Sequence, residues 1–268
     1  MGLFNKLFGS KKTNLSNKSE IDTNVNNFNR ADFGSTISLS LTKEESLKTL
    51  NLRKDKLNSL CLDKKELTNL TSRVAVVMDY SYSMVDAYQR GVVQKILERL
   101  LPLALKFDDN GELETWLFSG GFVRLENITI DNYYNYIENE KILKKHKMGG
   151  TSYCPVMQDV VKKYTVEEPC DLPTYVIFIT DGENDDRNET TDFIIKNCTQ
   201  PIFWQFVGIN NSSFKYLETL DEMEGREVDN ANFFQIKDLI NISDEELYSK
   251  LLQEYPSWLQ VAKNKNII

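Results

Sequence analysis

The sequence predicts an α/β fold, with a mainly parallel central sheet, helices on both of its faces and one antiparallel edge strand. Three observations carry that expectation. From Arg73 onward, short apolar runs alternate with longer amphipathic stretches, the pattern of strand–helix–strand units. Two of the runs, Val74–Met78 and Thr174–Thr180, are almost unbroken in apolar residues, as strands covered on both faces should be. At 268 residues, 41% hydrophobic and 27% charged, the chain also has the length and composition of a soluble protein with one sizeable core.

Residues 1–35 begin Met-Gly-Leu-Phe-Asn-Lys-Leu-Phe-Gly and continue rich in Ser, Asn and Lys. Such a composition cannot bury enough surface to order itself, so a disordered tail is expected. Leu3, Phe4, Leu7 and Phe8 beside Lys6 make the first nine residues amphipathic, which leaves weak peripheral membrane contact as an alternative to an inert tail. Lys6 stands where a myristoylation signal wants Ser or Thr. Residues 36–72 read as an amphipathic helical arm, with Leu47, Leu50, Leu57 and Leu60 spaced for one face. Residues 73–268 then form the α/β domain with a helical C-terminal extension.

Within that domain, Val74–Met78 is the first strand, and Val85–Phe107 a helix with Val92, Val93, Ile96, Leu97, Leu100 and Leu101 as its buried stripe. Glu114–Phe118 and Phe122–Leu125 are a strand and an edge strand about the Ser119-Gly120-Gly121 turn. Thr129–Glu138 reads as a short helix, and Pro155 opens another that runs to Tyr164. Thr174–Thr180, Pro201–Gly208 and Asn232–Gln235 supply three more strands. Ser243-Asp-Glu-Glu246 caps a last helix, which Pro256 bends or restarts.

Charge and cysteine usage exclude several classes. The net charge is -8, unevenly spread: residues 1–73 hold 13 Lys/Arg against 8 Asp/Glu, and the remainder 19 against 32. A body this acidic disfavours nucleic acid, whose phosphates need clustered cations. Cys61, Cys154, Cys170 and Cys198 are scattered, and His146, within a lysine run, is the only histidine, so structural zinc is rejected. No apolar run reaches the ~20 residues of a membrane span, and the N-terminus lacks the apolar stretch of a secretory signal. The compartment expected is a reducing cytoplasm. Trp116, Trp204 and Trp258 sit among apolar neighbours and are read as core residues.

Three loops carry chemistry. Asp79-Tyr-Ser81-Tyr-Ser83 follows the first strand, Gly149-Gly150-Thr151 precedes the helix at Pro155, and Asp181-Gly182-Glu183 follows the strand ending at Thr180. Ligands of open parallel sheets bind at the carboxyl ends of the strands, so the first and third loops meet if their strands are neighbours. Mg2+ wants six oxygens in an octahedron and gives up water reluctantly. Asp79 and Asp181 offer two charges to balance it, and Ser81, Ser83 and Thr151 offer neutral hydroxyls. Few direct carboxylates leave such an ion electrophilic, open to water or to an incoming acid. Alone, Asp79, Ser81 and Ser83 would read as a polar connection capping the helix at Val85; Thr151 and Asp181 in matching positions turn the reading to metal. Glu183, Asp185 and Asp186 are taken as a solvated rim, and Cys154 as a small packed residue.

The Asp-x-Ser-x-Ser, Thr and Asp set resembles the metal-ion-dependent adhesion site (MIDAS) of von Willebrand A domains. Arg73–Ser83, Met148–Met157, Ile179–Glu183, Pro201–Gly208, Arg226–Phe234 and the ending Ser243-Asp-Glu-Glu-Leu-Tyr…Tyr255-Pro-Ser-Trp258-Leu resemble the bacterial A-domain proteins of tellurium-resistance and stress operons. The resemblance covers roughly residues 36–262. It implies a Rossmann-like sheet, a cytoplasmic setting and a part in answering toxic oxyanions or other stress. Many members carry Gly between the two serines, where this chain has Tyr82.

The function expected is a non-catalytic, Mg2+-dependent protein-interaction module, a partner's Asp or Glu completing the coordination of the ion. Mn2+ and Ca2+ are alternatives that accept the same oxygens. Two other classes stay open: a sensor or sequestering protein for metal ions or oxyanions, and a metal-dependent phosphatase or hydrolase. The last lacks support from any G-x-S-x-G elbow, P-loop or histidine near the motif.

Overall fold

A computed structural model describes residues 41–210, 212–239 and 241–268; the tail expected over 1–35 lies outside them. Helix α1, Lys43–Leu62, starts at a reciprocal cap. The Thr42 hydroxyl accepts the Glu45 N–H at 3.2 Å, and the Glu45 carboxylate accepts the Thr42 N–H at 2.8 Å, so two otherwise orphaned donors are satisfied. Leu50, Leu57 and Cys61 are buried on one face and Leu60 partly so, while Leu47 is exposed and Ser46 takes the inward place beside it. A short helix α2, Lys65–Thr68, leads to the sheet.

Six strands form one sheet: β1 Arg73–Asp79, β2 Glu114–Phe118, β3 Phe122–Arg124, β4 Thr174–Thr180, β5 Ile202–Ile209 and β6 Ala231–Ile236. Their order is β3-β2-β1-β4-β5-β6. Every neighbouring pair is parallel except β2 with β3, which is antiparallel. The helices α3 Val85–Gln89 and α4 Val92–Phe107 lie between β1 and β2 in the chain; α5 Tyr136–Asn139, α6 Ile142–Lys145 and α7 Cys154–Lys162 between β3 and β4. Helix α8, Arg187–Lys196, precedes β5, α9, Lys215–Asp221, precedes β6, and α10 Asp244–Leu251 and α11 Tyr255–Asn264 close the unit. Among the described residues, no helix is long and apolar enough to cross a membrane.

The apolar runs are long because both faces of the sheet are covered. All residues of β1, β4 and β5 are buried. Successive side chains of a strand point to opposite faces, and β1 divides accordingly. Val74, Val76 and Met78 join one core with residues of α1, α4, α10 and α11; Ala75 and Val77 join a second with residues of α7, α8 and α9. A fully buried Val, Leu, Ile or Phe contributes roughly 1.5–3 kcal/mol, so the sheet is held from both sides. Trp116, Trp204 and Trp258 are buried, as expected.

Three helices differ from expectation for local reasons. Val85–Phe107 is two helices, broken at Gly91, which stands at φ +71°. A side chain there is strained even though a Cβ would meet nothing within 4 Å. Gly91→Ala is therefore expected to lower stability by about 1 kcal/mol, read as a lower denaturant midpoint at unchanged slope, with Gly91→Asn intermediate. The region 129–138 is mostly turns, and only Tyr136–Asn139 is helical. The Asn132 side chain accepts the Thr129 N–H and donates to the Asn127 carbonyl, both at 2.8 Å, taking backbone groups that a helix would have used. The helix at Pro155 ends at Lys162, and a π-helical turn, Lys163–Glu167, carries Tyr164 inward. There its ring lies 4.4 Å from the Arg73 guanidinium and its hydroxyl meets the Glu114 carboxylate. At the last helix pair, the Ser243 hydroxyl accepts the Glu246 N–H at 3.1 Å, and Tyr255-Pro256 restarts the chain as α11.

Strands β1 and β4 are neighbours, Met78 opposite Ile179. On one side the order runs to β2, on the other to β5. This is the point where successive crossovers leave in opposite directions and a crevice opens at the carboxyl ends of the strands.

Candidate metal centre

Asp79 closes β1 with no solvent exposure, and both its carboxylate oxygens are held. One accepts the Ser81 N–H at 2.7 Å, a turn closed by the residue's own side chain. The other accepts the Thr180 hydroxyl at 2.6 Å across the β1–β4 pair. The Asp79 carbonyl accepts the Tyr88 hydroxyl at 3.0 Å. From there the oxygens continue in a chain: Ser81 Oγ lies 3.0 Å from Ser83 Oγ, and the Ser83 hydroxyl donates to Asp181 Oδ1 at 2.7 Å. Four of the five expected residues, Asp79, Ser81, Ser83 and Asp181, are thus joined within one crevice.

Thr151 arrives through its backbone. Its loop pairs with the first loop, Gly149 beside Ser81, and the Tyr82 N–H donates to the Gly149 carbonyl at 3.1 Å. On the other side, the Thr151 carbonyl accepts the Asp185 N–H at 2.7 Å, and the Asp185 carboxylate accepts the Thr151 N–H at 3.2 Å. The paired glycines permit this close approach. A Cβ on Gly149 would sit 3.2 Å from Ser119 Oγ, and one on Gly150 would sit 3.1 Å from the Asp185 carboxylate.

Several contributors were not legible in the sequence. Tyr153 is fully buried; its hydroxyl donates to the Gly182 carbonyl at 2.6 Å and lies 3.0 Å from Thr180 Oγ1. Thr180 in turn holds Asp79. The acidic run after Asp181 is more than a solvated rim. Asp186 accepts the N–H groups of Tyr153 and Cys154 at 2.9 and 2.8 Å, capping the start of α7 from 32 and 33 residues away. Asp185 latches Thr151, as above. Glu183 accepts the Tyr216 N–H at 3.2 Å and pairs with Arg187 at 2.8 Å. Only Asn184-Asp-Asp186 directly before a helix hinted at capping; the partners are too distant in sequence to be read. Cys154 is buried, as a packed residue, and the four cysteines are free.

The electrostatics favour a cation. Burial, with a smaller push from neighbouring Asp181, raises the Asp79 carboxyl to about 6 against the hydrogen bonds from Ser81 and Thr180. Burial also raises Asp181, with the Ser83 hydroxyl opposing. Among the described residues, neither carboxylate forms an ion pair with Lys or Arg, and burial is the largest influence on each, so two neighbouring acids share the crevice without a paired positive side chain. Such groups demand either protons or a cation.

The donor set is carboxylate and hydroxyl oxygen. Adjacent oxygens of an octahedral Mg2+ shell stand about 3 Å apart, given metal–oxygen distances of about 2.0–2.1 Å. The separations of 3.0 Å for Ser81–Ser83 and 2.7 Å for Ser83–Asp181 are of that size. Among the described residues, no group of three or more His, Cys, Asp or Glu is arranged to hold a metal. The donor chemistry, two carboxylates and neutral hydroxyls, suits a hard ion and not a thiolate or imidazole metal.

A family model described as the vWA domain found in the C terminus of TerF, vWA-TerF-like, matches residues 71–268. The uncharacterised protein YcbR of Bacillus subtilis (strain 168) is 41% identical over 222 residues, which are 82% of this chain and 90% of that protein. Among solved structures, a von Willebrand factor type A protein from Catenulispora acidiphila gives a TM-score of 0.49 at 15% identity, over 68% of this chain and 42% of that one. Proximal thread matrix protein 1 of the mussel byssus, solved with a zinc-occupied MIDAS motif, gives 0.44 at 15% identity, over 69% of this chain and 46% of that one. The match spans less than half of each of these two solved chains.

Proposed function

The chain belongs to the vWA-TerF-like family of von Willebrand A domains, and from that premise we propose that it is a non-catalytic interaction module that holds one Mg2+ ion and binds a protein partner through it. Asp79, Ser81, Ser83, Thr151 and Asp181 are the residues proposed to hold the ion. The observation that carries the reading is the hydrogen-bonded chain Asp79–Ser81–Ser83–Asp181 at the β1–β4 switch point, with two carboxylates and, among the described residues, no basic side chain paired with them. When bound, the ion supplies an electrophilic position able to accept a carboxylate oxygen from outside the chain.

The protein's own groups do the rest. Thr180 and the Ser81 N–H fix the Asp79 carboxylate, so the ion would meet a ligand already oriented. Asp185 holds the Thr151 backbone against the third loop. Asp79 and Asp181 together would balance a divalent charge, so an incoming Asp or Glu of a partner would be held by direct coordination to the ion and not by net charge. Mn2+ or Ca2+ would satisfy the same oxygens. A part in tellurium-resistance or chemical-stress responses, supported by the family name, and a cytoplasmic setting complete the proposal. The same reading divides the chain into a tail over 1–35, a helical arm over 36–72 and the interaction domain over 73–268.

The test is affinity capture on the immobilised full chain from a lysate of the source organism, in millimolar Mg2+ and in EDTA. The expected result is a set of proteins retained in Mg2+, released by EDTA and missing from Ser83→Ala, which loses one ligand oxygen and its bond to Asp181. Identical profiles in Mg2+ and EDTA would contradict the reading.

A further inference from the structure

The position between the two serine ligands carries a residue with no role in fixing the ion. Tyr82 is 72% exposed although its neighbours Ser81 and Asp79 are buried. Its backbone is fixed at both ends: its N–H donates to the Gly149 carbonyl at 3.1 Å, and its carbonyl accepts the Val85 N–H. The ring is therefore presented to solvent from a rigid base, and Tyr loses little rotamer freedom on binding.

Two other exposed apolar side chains stand on segments tied to the same loops. Val85, at 40% exposure, is three residues on along the helical turn, on the same side as Tyr82. Phe122, at 43%, pairs with Phe118 at the end of the β2–β3 hairpin. That hairpin touches the Thr151 loop, since the Ser119 carbonyl accepts the Ser152 N–H at 2.9 Å. Isolated exposed apolar residues are ordinary on any surface; these three stand on segments at one edge of the sheet, since Phe118, the partner of Phe122, is itself opposite Asp79. One flank of the site carries cations, while exposed Asp185 adjoins the Thr151 loop. Exposed Lys144 and Lys147 lie on the segment running into Gly149, and the Tyr80 hydroxyl, beside the first ligand residue, donates to carbonyls of Ile142 and His146 within that segment.

We propose that Tyr82, with Val85 and Phe122 beside it, is the specificity-determining surface of the site, and that it selects an acidic protein loop whose Asp or Glu is directly flanked by a large apolar residue. The inference rests on the metal-dependent reading above. The acid would satisfy the ion, the apolar neighbour would cover the Tyr82 ring, and further acids on the loop would face Lys144 and Lys147.

The test pans a library of random cyclic peptides displayed on phage against the full chain in millimolar Mg2+, with elution by EDTA. The wild-type chain is expected to enrich peptides in which Asp or Glu sits next to Phe, Tyr, Trp, Leu or Ile. A peptide synthesised from that set should bind Tyr82→Ala about tenfold or more weakly, the effect of truncating an aromatic anchor, and Val85→Ser more weakly to a smaller degree. The Mg2+-dependent rise in melting temperature is followed in each variant, so a collapsed ion site is recognised as such; the neighbour preference of the wild-type selection then decides alone. Enrichment of acids without an apolar neighbour, or equal binding by an ion-competent Tyr82→Ala, would overturn this inference and leave the ion reading standing. Peptides without an acid, or retained in EDTA, would overturn both.

Discussion

Asp79→Asn is expected to make the metal-free protein more stable at pH 7 while erasing its response to Mg2+. Burial holds the Asp79 carboxyl at about 6 in the folded chain, against an ordinary value of about 3.9. The folded state thus binds that proton more tightly than the unfolded state. The stabilisation from protonation is complete below about pH 4 and is lost as pH rises through about 6. At 1.36 kcal/mol per unit, ionised Asp79 costs the metal-free fold about 3 kcal/mol at pH 7. An Asn is neutral throughout; its oxygen can keep the Ser81 N–H, and its amide can donate to Thr180 Oγ1. In EDTA the variant should melt about 6–12 °C above wild type at pH 7, the gap closing towards pH 4. Adding Mg2+ at 100 times its dissociation constant should raise wild type by about 2.7 kcal/mol and leave the variant unmoved. A variant less stable than wild type in EDTA at pH 7 would mean that the buried carboxylate is already compensated.

The second large effect is at Tyr153, where core and site are one structure. Its ring lies 4.8 Å from Phe178 and 5.6 Å from Phe118, both edge-on or tilted contacts, and its hydroxyl holds Gly182 and approaches Thr180. Tyr153→Ala removes a fully buried aromatic side chain and should cost about 3–5 kcal/mol. Tyr153→Phe keeps the ring and removes the shorter of the two hydrogen bonds to the part-buried Gly182 carbonyl, which retains the Thr180 hydroxyl at 3.4 Å, at about 0.5–1.5 kcal/mol. Because Gly182 follows Asp181 and Thr180 holds Asp79, the Phe variant should also bind Mg2+ more weakly than wild type while remaining folded. Denaturant unfolding in EDTA measures the first quantity and Mg2+ titration of folded protein the second. A Phe variant with wild-type Mg2+ affinity would confine Tyr153 to packing.

The strands that carry the site were legible because both faces of the sheet are covered. Val74–Met78 and Thr174–Thr180 read as buried runs, and each is followed directly by one of the two aspartates proposed to hold the ion. Periodicity did not say that these strands adjoin; that came only from the resemblance and from the observed order. Helix α8 escaped notice because Arg-Asn-Glu-Thr-Thr-Asp-Phe-Ile-Ile-Lys buries only Thr190 and Ile194, too thin a stripe to show at helical spacing. The break at Gly91 was hidden by apolar residues continuing on either side of it. The supports of the site were invisible for another reason: Thr180 to Asp79, Asp186 to Tyr153 and Asp185 to Thr151 are contacts across 101, 33 and 34 residues. Local pattern carries no trace of them. Asp185 therefore belongs with the Thr151 loop and not with a solvated rim.

Direct titration tests whether this crevice holds one divalent ion. Free Mn2+ followed by electron paramagnetic resonance, as protein is added, counts bound ions without recourse to stability. One site per chain is expected in wild type, displaced by Mg2+ and lost in Asp79→Asn. Binding that is absent from wild type, or undiminished in the variant, would contradict it.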